Sequence, residues 1–249
     1  MNHTGQPTAG AATTVGRMRA TNEDRYLLDV ARGLFAIADG IGGLPYGERA
    51  SECAIRSLIR QATPPADPDR PLDELVAACH DAVGQLGRVL HRRMGIGTTL
   101  TLLRALPGYC EIAHVGDSAA FIQRGRTGEV VRLTTEHTSP APSVVVAGQA
   151  PDAAFLPPAT LDRYLGQSAP LSCETHHVAV SPGDRIILCS DGITRALDTA
   201  DLAVLSAVQP NSLGFAQTLI HVANVRGGRD NATAIVIDFT TEAPPTPAA

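Results

Sequence analysis

Lysine is absent from this chain of 249 residues: all twenty basic residues are arginine. The absence excludes a phosphate-loop lysine, the strand lysine of a kinase and any Schiff-base chemistry. Phosphate chemistry, if there is any, must then run on metal and arginine. A basic excess is missing too. The net charge of -5 argues against a nucleic-acid partner, which would need a basic surface. No run approaches the roughly eighteen consecutive apolar residues of a membrane span, so no membrane partner is expected. The first residues lack the basic start and apolar middle of a secretory signal, and cytoplasmic residence is the expected default. No C-x-x-C pair occurs. Cys53, Cys79, Cys110, Cys173 and Cys189 are widely spaced, and most sit among apolar neighbours. They read as small core hydrophobes rather than disulfides or zinc ligands.

What is present is an ordinary globular composition, 44% hydrophobic and 18% charged, long enough to bury a sizeable core in one domain. Residues 1–12 are small, polar and unpatterned and read as a disordered tail; 240–249 is a Pro-rich tail. Between them, strand patterns are predicted at 26–30, 33–38, 97–106, 109–115, 119–124, 129–133, 171–180, 185–190 and 232–239. Helical spacing is predicted at 46–61, 72–91, 200–208 and 211–224, with 64–69 breaking the first pair into a hairpin laid on a sheet. The stretch 134–168, rich in Ala and Pro, reads either as a flap over a site or as a variable insertion. His176 and His177 are adjacent on a strand, so they face opposite ways and cannot both ligate one ion.

One device recurs. The apolar run Leu34-Phe35-Ala36-Ile37-Ala38 ends in Asp39, followed by Gly40, Gly42 and Gly43. Taken alone, this is equally a glycine-rich turn with a solvated Asp. Yet Asp117 and Asp191 also lie just past apolar runs, and Asp230 lies just before one. In an antiparallel sheet the end of one strand neighbours the start of the next, so one rim can gather all four, with Glu23 and Asp24 from the first interstrand turn. Each close carboxylate pair would repel by roughly 4 kcal/mol at 4 Å and an effective dielectric near 20. Arg19 and Arg229 are the nearest cations in sequence, too few to balance the cluster. Carboxylates and bare glycine carbonyls are oxygen ligands of the kind Mg²⁺ and Mn²⁺ favour. Two such ions can ready a water for attack and neutralise a phosphoryl group, which Arg19 could grip bidentately.

Six short segments then align with a known family: Arg19-Ala-Thr-Asn22-Glu23-Asp24, Asp39-Gly40-Ile41-Gly42-Gly43, Gly97-Thr98-Thr99, Val115-Gly116-Asp117-Ser118, Ser190-Asp191-Gly192 and Gly228-Arg229-Asp230-Asn231-Ala232-Thr233. In that order the chain resembles the metal-dependent protein phosphatases of the 2C (PPM) type, in their compact bacterial form. The resemblance implies an α+β fold, a four-layer α-β-β-α sandwich of two antiparallel sheets flanked by helical hairpins, as one catalytic domain over 13–239. It implies a two-ion Mn²⁺/Mg²⁺ centre with Asp39 bridging and the Gly40 carbonyl, Asp191 and Asp230 completing the shell. Glu23 and Asp24 would contribute through water, and a third ion would lie at Asp117 and Asp191. Arg19 takes the phosphate-binding role, with Asn231, Gly42 and Gly43 in support.

The implied activity is a serine/threonine protein phosphatase, acting as a monomer on phosphorylated proteins and opposing a Ser/Thr kinase. Two other readings stay open: a catalytically dispensable phosphoprotein-binding module of the same fold, and a small-molecule phosphoester hydrolase. Ile41 stands where many eukaryotic members of the family carry a histidine proposed as general acid, and Glu136 replaces a common Asp at the start of the flap.

Overall fold

Period-two burial decides the architecture. In β3 (Leu34–Asp39), Leu34, Ala36 and Ala38 pack to one side while Phe35 and Ile37 pack to the other. β11 (Arg185–Cys189) and β12 (Ala232–Asp238) alternate likewise: Ile187, Cys189, Ala234 and Val236 face one way, Ile186, Leu188, Ile235 and Ile237 the other. Strands apolar on both faces must be covered on both faces, and this requires two sheets and two helical layers.

The computed structural model of the protein describes residues 5–62, 70–125, 127–139 and 160–240. One sheet has the order β1-β12-β11-β6-β7, with β1 at Thr8–Thr14, β6 at Ala119–Gln123 and β7 at Val130–Arg132. The other has the order β10-β5-β4-β3-β2, with β2 at Asp24–Asp29, β4 at Leu100–Leu106, β5 at Tyr109–Val115 and β10 at Glu174–Ala179. Pairing is antiparallel within both. Phe35, Ile37, Leu103 and Ile112 of one sheet meet Ile122, Ile186, Leu188 and Ile235 of the other in a shared core. Helices α1 (Gly47–Ala62) and α2 (Leu72–Leu90) cover the β3 side through Leu58, Val76 and Val83. Short α3 (Asp191–Thr194), α4 (Thr199–Val208) and α5 (Ser212–Val225) cover the β12 side through Leu202, Phe215 and Leu219. The layers are α-β-β-α, as the resemblance implied. Among the described residues no helix is long and apolar enough to cross a membrane.

The N-terminal segment corrects the sequence reading. Residues 8–12 lie not in a tail but in β1, which pairs along its whole length with β12, from Thr8 opposite Asp238 to Thr14 opposite Ala232. Its small residues, Thr-Ala-Gly-Ala-Ala-Thr-Thr, hid a strand that lies under a helix. A Cβ on Gly10 would fall 2.4 Å from the Leu213 backbone of α5. Residues 1–4, the breaker at 64–69, the central part of the flap (140–159) and 241–249 lie outside the described residues. The described ends of the flap meet in a small hairpin of β8 (Thr138–Ser139) and β9 (Thr160–Leu161).

Gly10→Ala is expected to cost roughly 1–3 kcal/mol by overpacking, measurable by urea denaturation. Gly43→Ala, with nothing within 4 Å of its Cβ, should change stability little in the same assay.

Candidate active site

The two sheets bring their carboxylate-bearing ends to one rim. Asp39 closes β3 and stands opposite Asp24, the first residue of β2. Asp191 opens α3 directly after β11, Asp230 precedes β12, and Asp117 lies between β5 and β6. A cavity of about 510 Å³ is lined by Arg19, Asp39, Gly40, Asp117, Asp191 and Asp230, and by Arg195. Thr160 and Leu161 of the flap base, and Tyr164 just beyond, form part of its wall.

Neutral groups hold these acids in place. Thr99 Oγ1 accepts from the Asp39 backbone N–H at 3.0 Å, and the Thr98 hydroxyl donates to the Asp39 carbonyl at 2.8 Å. Thr99 also bonds Ser118 at 2.9 Å, tying β3 to the Asp117 loop. Asp24, the first residue of β2, is buried: its Oδ2 accepts from Ser190 at 2.8 Å and from Thr233 at 2.7 Å. Its Oδ1 has no partner among the described residues. Asn231 accepts from the Glu23 N–H at 2.8 Å and donates to the Val15 and Thr21 carbonyls, each at 2.9 Å, fixing the loop that carries Arg19. Of the three expected glycines, Gly40 is sterically required by backbone, while a side chain at Gly42 would meet the movable end of Arg19. A Cβ at Gly40 would lie 2.4 Å from the Gly47 carbonyl oxygen, and one at Gly42 would lie 2.5 Å from the Arg19 guanidinium. Gly43 shows no such demand.

The cations differ from expectation. Arg19 pairs with Asp230 at 2.9 Å. The second cation is Arg195 rather than Arg229: its Nη2 lies 2.5 Å from Asp191 Oδ2 and its Nη1 3.3 Å from Asp230 Oδ2. Sequence reasoning missed it, although its spacing of four from Asp191 along a helical turn was a usable signal. Arg195 does not neutralise the cluster. Burial, and then Asp24, Asp191, Asp117 and Asp230, hold the Asp39 carboxyl well above the usual range. Asp191 is pushed up to about 7 by burial and Asp117 despite its ion pair. Burial raises Asp24, Asp117 and Glu23 as well. One guanidinium shared between two carboxylates is outweighed by desolvation and by the other acids.

The residues fit oxygen-bound cations. An orphaned, buried Asp24 oxygen, and an Asp39 carboxyl held well above its usual range by burial and by neighbouring acids, call for positive charge. Among the described residues no donor reaches the Gly40 carbonyl. With Arg195 between them, however, the rim acids do not draw together into a ready-made triad. Among the described residues, the one set of three potential ligands whose atoms all lie within 4.8 Å is His114, His137 and Glu174.

That second cluster, also missed from sequence, is saturated. His114 Nε2 faces the Gly116 and Thr135 carbonyls at 3.1 Å each, so it carries the proton, and Nδ1 takes the Thr101 hydroxyl at 2.8 Å. Gly116 N–H donates to His137 Nδ1 at 3.1 Å, so His137 Nε2–H donates to Glu174 at 3.2 Å. His176 bonds the same carboxylate at 2.7 Å. A metal there would have to break this network. Its effect is to pin the start of the flap to the Asp117 loop, since the His137 N–H also donates to the Gly116 carbonyl at 2.8 Å.

Residues 17–227 match the family model described as Protein phosphatase 2C. The chain belongs to the protein phosphatase 2C family. It is 32% identical over 230 residues to the serine/threonine protein phosphatase PstP of Mycobacterium tuberculosis, covering 90% of this chain and 43% of PstP. The chain thus spans less than half the length of that relative. It is 29% identical over 241 residues to the protein phosphatase PhpP of Streptococcus pneumoniae, covering 92% of this chain and 96% of PhpP. Among solved structures, the catalytic domain of PstP in complex with two manganese ions is 28% identical, with a TM-score of 0.75 over 94% of this chain and 98% of that one. This protein phosphatase 2C chain therefore shares its fold along nearly the whole of that catalytic domain.

The raised Asp191 gives a pH prediction for metal-free protein. Its folded pKa of about 7 exceeds the ordinary 3.8, so between those values the folded state holds a proton that the unfolded state has released. Stability from this group is full below about pH 4 and is lost as pH rises through about 7. In chelator, the melting temperature of Asp191→Asn should therefore gain on the wild type from pH 4 to 7 and then level off. A gap independent of pH would contradict the assignment.

Proposed function

We propose that the chain is a serine/threonine protein phosphatase that hydrolyses phosphoserine and phosphothreonine with two divalent ions, Mn²⁺ or Mg²⁺. One observation carries the reading: Asp39, Asp117, Asp191 and Asp230 line a single cavity that Arg19 also lines. The ions would be held by Asp39, Asp191, Asp230 and the Gly40 carbonyl. Asp24, whose free oxygen is buried, and Glu23 would take part through intervening water. Bound there, such ions lower the pKa of a coordinated water and offset the charge of the phosphoryl group.

The protein's own groups do the rest. Arg19, more exposed than its partner Asp230, can leave that ion pair and grip two phosphoryl oxygens with its planar fork. Thr98 and Thr99 fix Asp39 through its backbone, so its carboxylate keeps one position while charge moves past it. Ile41 offers no proton, and among the described residues no histidine lines the cavity. The leaving serine or threonine oxygen would therefore take its proton from solvent. The names of PstP and PhpP support a phosphoprotein substrate, the product of a Ser/Thr kinase.

The protein should hydrolyse an aryl phosphate with Mn²⁺ and lose that activity to chelator. Asp39→Ala should fall by at least about a hundredfold; a fully active Asp39→Ala would end the proposal. Arg19→Ala should raise KM about tenfold with a smaller change in kcat, since a phosphate clamp acts mainly in binding.

A further inference from the structure

The third ion expected at Asp117 and Asp191 would share both acids with Arg195, which pairs with Asp191 and acts on the charge of Asp117. Arg195 lines the same cavity and already contacts Asp191 Oδ2 at 2.5 Å and Asp230 Oδ2 at 3.3 Å. It stands one helical turn beyond Asp191, with its backbone N–H donating to the Asp191 carbonyl at 2.9 Å, so the ion pair is locally constrained. Asp191, Asp230, Asp117 and Asp39 all act on its charge.

We propose that Arg195 supplies the positive charge that a third ion would bring, so that this centre binds two divalent ions and no more. The inference rests on the two-ion reading above.

Charge counting agrees. Asp24, Asp39, Asp117, Asp191 and Asp230 carry five negative charges when ionised, which two divalent ions and one guanidinium balance. Arg19 offsets Glu23. A third divalent ion beside Arg195 would leave the centre with excess positive charge before any phosphate arrived. A guanidinium on a helical turn has a further property: chelation cannot remove it and it needs no metal supply. Its planar fork spans two carboxylates and has donors to spare for a phosphoryl oxygen.

The test counts bound Mn²⁺ by calorimetry and by metal analysis after rapid desalting, with no assay of turnover. Wild type should bind two ions per chain. Arg195→Ala should bind a third, and Arg195→Ala/Asp117→Asn should return to two, locating the extra ion at Asp117. Arg195→Gln, closer in size, gives the same count should the alanine variant fold poorly. Three ions in the wild type overturn the proposal, as do two ions in both Arg195 variants. A wild type that binds no Mn²⁺ at all would instead refute the two-ion reading.

Discussion

The structure depends on holding like charges together where two sheets end. Five aspartates from distant parts of the chain meet at one rim, and burial leaves the enclosed carboxyl of Asp39 far more reluctant to ionise than in water. At an effective dielectric near 20, two charged carboxylates 4 Å apart would repel by roughly 4 kcal/mol. A fold is only marginally stable, by about 5–15 kcal/mol, so an uncompensated cluster of this kind is a severe burden. The rest of the protein can be understood as what tolerates that burden. Three cores of interdigitating apolar side chains flank the rim, and neutral hydroxyl and amide groups fix Asp39, Asp24 and the Glu23 backbone without cancelling charge.

That distinction between fixing and cancelling separates this site from a structural salt bridge. Arg185 and Asp238 pair at 2.5 Å, with Arg185 also bonded to Ser206 and to two carbonyls. Nothing there is left wanting. At the rim, Ser190 and Thr233 both bind one oxygen of Asp24 and leave the other bare. Thr98 and Thr99 grip the backbone of Asp39 and not its carboxylate. Close backbone packing at Gly40 against Gly47 brings α1 up to the site without a side chain in between. Each contact limits motion, and none supplies the missing positive charge.

Much of this was legible in the sequence. Period-two alternation with turns such as Pro107-Gly108 gave the strands, and carboxylates at strand ends gave the rim, because strand direction is a local property with a global consequence. Three features escaped. β1 is built from Ala, Gly and Thr, which carry almost no hydrophobic signal; its identity comes from β12 and α5, far away in sequence. Asp24 read as a turn residue because its hydroxyl partners, Ser190 and Thr233, lie more than 160 residues distant. Arg195 stands outside every motif, one helical turn beyond Asp191, and its second partner Asp230 is 35 residues away. In each case the deciding partner is spatial, and one-dimensional pattern has no access to it.

The aspartate rim and the histidine cluster together make the functional argument sharper than either alone. By spacing alone, His114, His137 and Glu174 look the better metal site, since their ligand atoms are already within 4.8 Å. Their bonding argues otherwise. Both histidine tautomers are fixed by carbonyl, amide and hydroxyl partners, and Glu174 accepts from Thr135, His137 and His176 together. Burial, reinforced by His137, pushes His114 down to about 4, so it stays neutral and inert across the working pH range. The aspartate rim is looser in spacing and far less satisfied in charge. Buried polar groups that have all their partners stabilise one conformation, whereas groups held in place but short of positive charge can gain free energy by binding a cation. Unmet electrostatic demand, more than proximity of ligands, is therefore what singles out the Asp39 cavity as the candidate site.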